Sequence, residues 1–213
     1  MKKYTEFEQK SLEWHEIKWG KIGGSASAGL LKPSETLFID ILSQQNEEFE
    51  PESDYTSDAM ERGNELEPFA RQYLESYFNV SFEVPAWIQC EQNRLLGISP
   101  DGLTKDNHFA CEIKCFGRKK HWEILLKNEI PYDNVPQLVH YFTVIPKLES
   151  LYFISFRPES EKHFIKELTR DTLVNIGTNA KPVMKSISDA VSIAKENAKI
   201  LLNRIEAHSF QDF

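Results

Sequence analysis

The stretch Ser99-Pro100-Asp101-Gly102, followed ten residues on by Cys111-Glu112-Ile113-Lys114-Cys115, limits what this chain can fold into more than any other. Apolar flanks read as strands on either side, and Asp101 falls at a Pro-Asp-Gly turn where the chain can reverse. Side chains alternate faces along a strand, so Glu112 and Lys114 point one way while Ile113 points into a core. The reversal can then bring the Asp101 carboxylate beside Glu112. Two carboxylates next to one ammonium suit metal-dependent phosphodiester hydrolysis. Hard oxygens hold Mg²⁺, and the ammonium steadies an attacking water or the charge developing on phosphorus.

Taken alone the pattern is loose. Acid-x-Lys recurs at Glu8-Gln9-Lys10 and Glu16-Ile17-Lys18, but no Asp precedes either. Only Glu112-Ile113-Lys114 has both an upstream Asp in a turn and flanks that read as strand. The plain alternative is a solvated salt bridge on an edge strand.

Composition narrows the class. At 213 residues, with 40% hydrophobic and 27% charged, the chain reads as one soluble globular domain, 1–213, able to bury a substantial core. No apolar run approaches the roughly 20 residues of a membrane span, and the polar start Met1-Lys2-Lys3-Tyr4-Thr5-Glu6 lacks a secretory apolar region. Cys90, Cys111 and Cys115 lack zinc spacing and are odd in number, so they read as reduced thiols of a cytoplasmic protein.

The net charge of −8 looks wrong for a nucleic-acid enzyme until its distribution is read. Eleven acids between Glu35 and Glu67 face the single Arg62, whereas Arg118, Lys119, Lys120, His121 and Lys127 face only Glu123. A basic patch beside the acids suits phosphate contacts; a solvated helix face is the alternative.

Periodicity places the remaining elements. Residues 5–19 read as a helix, and the small-residue run Gly20–Gly29 as a turn or a phosphate cradle at a helix start. Residues 44–54 read as an exposed loop, and 55–78 as a helix that Pro68 interrupts or kinks. Gly63 costs that helix about 1 kcal/mol, which suggests close approach of another backbone, and it shares a face with Glu67. Strands are expected at 80–91, 95–99, 109–116, 151–156 and 163–168. Helices are expected at 117–127 and 134–144, with a long amphipathic one at 182–208 whose apolar stripe is core or a subunit interface. This order makes an α/β layer with a mixed sheet.

Five blocks in this order resemble the lambda-type phage exonucleases, or YqaJ-like viral recombinases, of the PD-(D/E)xK nuclease superfamily. They are Trp14–Ser25, Arg62–Arg71, Ser99–Leu103, Glu112–Cys115 and Pro136–Tyr141. The resemblance implies a restriction-endonuclease-like fold, a central mixed sheet flanked by helices. It implies Mg²⁺, with Mn²⁺ able to substitute, on Asp101, Glu112 and the Ile113 carbonyl, with Glu67 serving a metal or its water. Lys114 would orient the nucleophile, and Gln137 would sit near the scissile phosphate. The residue for a DNA 5′-phosphate falls on Lys18, where the family carries arginine, so a point charge replaces a bidentate fork; Ser25 would add a hydrogen bond. The activity implied is 5′-to-3′ digestion of linear duplex by a trimeric ring of phage or prophage origin, working with a single-strand annealing protein. An endonuclease of the same superfamily, or a catalytically idle DNA-binding member, are the rival readings.

Overall fold

The computed structural model describes residues 1–51 and 57–208. Its centre is a four-stranded mixed sheet, β4 (Gly102–Leu103), β5 (Phe109–Lys114), β6 (Ser150–Ser155) and β7 (Phe164–Leu168), hydrogen-bonded in that order. β5 and β6 run parallel, with Cys111 opposite Tyr152 and Lys114 opposite Ser155, while the two outer pairings are antiparallel. A parallel neighbour needs a crossover. Here it carries α5 (Arg118–Lys127), a 3₁₀ turn and α6 (Val135–Val144).

Helices cover both faces of this sheet. On one, Ala70 and Leu74 of α4 (Asp58–Phe78) pack on Cys111, Ile113, Tyr152 and Ile154. On the other, Leu138, Tyr141 and Phe142 of α6 join Ala110, Leu151 and Phe153 in the main core. That core also takes the buried stripe of α7 (Ile187–His208), namely Ile187, Val191, Ala194, Ala198 and Ile205. The stripe is therefore core within the chain. A smaller antiparallel sheet joins β1 (Lys2–Tyr4), β2 (Trp87–Gln89) and β3 (Gly97–Ile98). It is tied to α6 by His140, whose Nε2–H donates to the Gly97 carbonyl at 2.9 Å.

Several boundaries differ from the sequence expectation, each for a local reason. The helix expected at 5–19 shrinks to α1 (Leu12–Lys18), because Lys10 takes a left-handed φ of 72° and Ser11 then caps the turn through the Trp14 amide. The strand expected at 80–91 survives as 87–89, where β1 offers three partners, and as an isolated antiparallel bridge from Glu83 to Leu103. Residues 184–186 form β9, paired with β8 (Leu173–Asn175), before α7 begins. Helix α3 (Glu35–Asn46), capped by Ser34, takes the first residues of the expected acidic loop; positions 52–54 of that loop and 55–56 of the expected helix lie outside the described residues. Pro68 does not break α4, which runs 21 residues through it with the proline ring exposed. The run Gly20–Gly29 leads only into α2 (Ala28–Leu31), a single turn, so no long helix aims its N-terminus at a phosphate there.

Candidate active site

A cleft of about 580 Å³ opens where β4 ends against β5, walled by α1, the Gly23–Ser25 turn and the first half of α4. Asp101, Glu112, Lys114, Glu67, Gln137, Lys18 and Ser25 all line it. The structure thus brings together residues spread from position 18 to 137.

Alternation along β5 sets the floor. Ile113 turns its side chain into the α4 core, while Glu112 and Lys114 share the opposite face. Glu112 is fully buried, and its Oε1 lies 2.5 Å from the Lys114 ammonium. Asp101 stands at the end of β4, where its Oδ2 replaces the missing strand and accepts the Ile113 amide at 2.6 Å. The amide and carbonyl of one strand residue point to the same edge, so the Ile113 carbonyl also faces the gap that β4 leaves open.

Two further residues hold the acids in place, and sequence reasoning missed both. The Tyr141 hydroxyl on α6 lies 2.8 Å from Glu112 Oε2 and 3.1 Å from the Cys111 carbonyl, and accepts the Asp101 amide at 3.3 Å. Its one hydrogen goes to the carboxylate, the nearer and charged acceptor. Burial, and then the charges of Glu112 and Asp101, hold the phenol well above its ordinary pKa, so it stays a donor. A tyrosine on a helix that is apolar all round reads as core; its place four residues after Gln137, on the same helix face, is the signal that was available. Arg71 donates to the Asp101 carbonyl and to Glu67 Oε1, each at 2.5 Å.

Electrostatics report what the acids lack. Burial, then the neighbouring charges of Glu112 and Glu67, push the Asp101 carboxyl well above its usual range. Burial works against the Lys114 charge, but Glu112 and Asp101 outweigh it and keep the ammonium protonated beyond its ordinary pKa. Glu112 Oε1 is buried and receives no hydrogen bond, its ion pair with Lys114 notwithstanding. Two crowded carboxylates, one with an unfilled lone pair, beside an open carbonyl form a hard-oxygen donor set that fits a divalent cation. Among the described residues no three His, Cys, Asp or Glu side chains gather into a complete cage. Such a cation would complete its shell with water and phosphate oxygens, as Mg²⁺ prefers. Arg71 holds Oε1 of Glu67, which lines the same cleft.

The remaining candidates separate. Lys18 places its ammonium 3.3 Å from the centre of the Trp14 ring, and Trp14 is fixed by donating to Ser99 Oγ at 2.7 Å. Ser25 is exposed on the same wall. Gln137 lies against Gly24, where an added Cβ would come within 3.0 Å of the amide side chain. Arg118 and Lys119 are exposed on the first turn of α5, just past the cleft residue Gly117. Lys120 lines a separate groove and pairs with Glu123 at 3.4 Å; His121 is buried, bonded to Ser155 and Lys162. The basic patch is therefore narrower than the sequence suggested. Cys115 also faces the cleft, but burial and then the charges of Glu67 and Asp101 push its thiol up to about 11, so it is no thiolate nucleophile. All three cysteines are free.

Comparison with known proteins bears on the fold and the family. No curated protein matches the chain. Among solved structures, LHK-Exo in complex with dAMP superposes with a TM-score of 0.74 at 20% identity, covering 92% of this chain and 93% of that one. A second structure of the same protein, an alkaline exonuclease from Laribacter hongkongensis, gives 0.72 over the same shares, also at 20% identity. These likenesses speak for a shared fold, the mixed sheet with flanking helices. The profile of the YqaJ-like viral recombinase domain matches residues 13–146, from Glu13 at the start of α1 to just past α6. With more than half its length matched, and the cleft inside the matched region, this chain belongs to the YqaJ-like viral recombinase family.

Proposed function

We propose that the protein is a metal-dependent exonuclease of linear double-stranded DNA, acting as a single nuclease domain. It digests the 5′-ended strand and leaves 3′ overhangs for phage-type recombination by single-strand annealing. The observation that carries this reading is the meeting of Asp101, Glu112 and Lys114 on the cleft floor. The fold shared with an alkaline exonuclease that holds dAMP supports it, since a mononucleotide is what stepwise digestion releases.

Asp101, Glu112 and the Ile113 carbonyl would hold Mg²⁺, with Mn²⁺ able to take its place, and Glu67 would hold a water at the edge of the shell. When bound, the cation supplies positive charge to the oxygens of the scissile phosphate. Lys114, kept charged by its two acids, orients the attacking water and faces the phosphate as a donor. It cannot serve as the base. Gln137, braced by Gly24, offers its amide to the same phosphate. Lys18 and Ser25 receive the phosphate at the 5′ end, and Arg118 and Lys119 draw in the backbone. The partners are a DNA end, a single-strand annealing recombinase and further copies of this chain in a trimeric ring, in the cytoplasm of a bacterial host.

Incubating the protein with Mg²⁺ and either linear or covalently closed duplex tests the reading. Loss of the linear substrate alone, abolished by Lys114→Ala, is expected. Cutting of the circle would move the protein to an endonuclease, and no cutting of either with any divalent metal would leave a binding protein. A trimer by light scattering is expected, and a monomer would remove the ring.

A further inference from the structure

Two local choices in this chain run against its own fold, and they meet at one point. Lys10 has φ 72°. The other described residues with positive φ are Asn79, Asn107, Asn128 and Gly20, types that tolerate the left-handed region, whereas a long side chain seldom does. Gly63 lies inside α4, where glycine is unfavourable, and a Cβ there would meet nothing within 4 Å. Among the described residues, the expected reason for that glycine, close approach of another part of the chain, is absent. Both residues line the cleft, and the Lys10 ammonium reaches Asn64, the neighbour of Gly63, at 2.5 Å.

The chain also fixes Lys10 in position. Gln9 donates to the carbonyls of Pro85 and Pro100, at 3.1 and 3.0 Å, pinning the segment one residue from Asp101. Asn64 is a neutral acceptor, and among the described residues Lys10 has no acidic partner. Its charge is held ready without being neutralised. A left-handed lysine and a helical glycine that line the same cleft are features expected where a fold serves a ligand.

We propose that Lys10 is a phosphate-binding residue, parked on Asn64 and transferred to a backbone phosphate of the DNA strand in the cleft. Gly63 keeps open the space through which that backbone passes. The inference rests on the nuclease reading and adds to it a contact from the N-terminal segment, apart from Lys18 and Ser25.

Lys10→Gly separates this role from a structural one, because glycine relaxes the left-handed backbone while removing the cation. With chelated divalent ions, its affinity for linear duplex is expected to fall about tenfold, and the slope of log affinity against log salt to weaken by about 1. Its Tm should equal or exceed that of the parent, and Lys10→Arg should keep the affinity. Gly63→Ala should likewise melt higher and bind more weakly. A lower Tm with unchanged affinity and salt slope for Lys10→Gly would overturn the proposal and make Lys10 a structural residue. A parent protein that neither binds nor cuts duplex would overturn the nuclease reading, and this inference with it.

Discussion

Glu112 has no exposed surface, and its two oxygens are divided between the Tyr141 hydroxyl and the Lys114 ammonium. Removing that hydroxyl leaves a buried carboxylate oxygen without a donor, which costs about 1–3 kcal/mol. Tyr141→Phe is therefore expected to lose about that much stability in urea melts. Its cleavage rate should fall at least tenfold, because Glu112 is free to turn and the Asp101 amide loses its acceptor. Tyr141→Phe with parental stability and rate would show the hydroxyl to be incidental. The three residues on the floor were legible in the sequence because strand alternation is strict. An acid and a lysine two apart must share a face, and an Asp in a Pro-Asp-Gly turn has few places to go. Tyr141 and Arg71 were not legible as site residues, since what makes them so is a partner from a distant segment. Lys120 and His121 misled for the converse reason: adjacent charges in sequence fan out around a helix, and here one pairs with Glu123 while the other is buried.

Elements with long apolar patterns stand where the sequence puts them: β5, β6, β7, α5, α6 and α7, to within a few residues. The short ones do not. A three-residue strand such as β1 or β9 carries too little pattern to announce itself, and exists because a neighbour has unpaired amides to fill. Helix α4 shows the opposite case, a strong local signal overruled. Pro68 cannot donate to the Asn64 carbonyl, yet the helix continues because Ala70 and Leu74 are buried on the sheet. Pro68→Ala restores the donor and is expected to stabilise the protein by about 1–3 kcal/mol, read as a higher Tm; a lower Tm would mean that the proline shapes the helix. On α6, burial pushes the His140 pKa down to about 4, against 6.5 for an unperturbed imidazole. The unfolded chain thus takes up a proton that the folded one refuses in this window. Stability is full above pH 6.5 and falls as the pH drops towards 4, by roughly 3 kcal/mol at the acid end. Urea melts across this range should show the slope, and His140→Gln should flatten it.

At the scale of the molecule, the cleft is a concentration of unlike charges in a chain of net charge −8. Asp101 and Glu112 crowd their charges, so the Mg²⁺ proposed for this site is expected to stabilise the fold. At about 100 times its dissociation constant the gain is about 2.7 kcal/mol, or a Tm rise of roughly 5–10 °C. Asp101→Asn should abolish that rise while melting higher than the parent in chelator; an undiminished response to Mg²⁺ would place the cation elsewhere. The same cleft draws Lys18, Asp101, Glu112 and Tyr141 from well-separated stretches, and β5, which carries Glu112 and Lys114, finds its parallel partner only in β6. A chain still emerging from the ribosome holds both acids, but lacks the strand and helix that aim them. The site is complete only with most of the sequence in hand, so a partly synthesised chain is expected to lack cleavage activity.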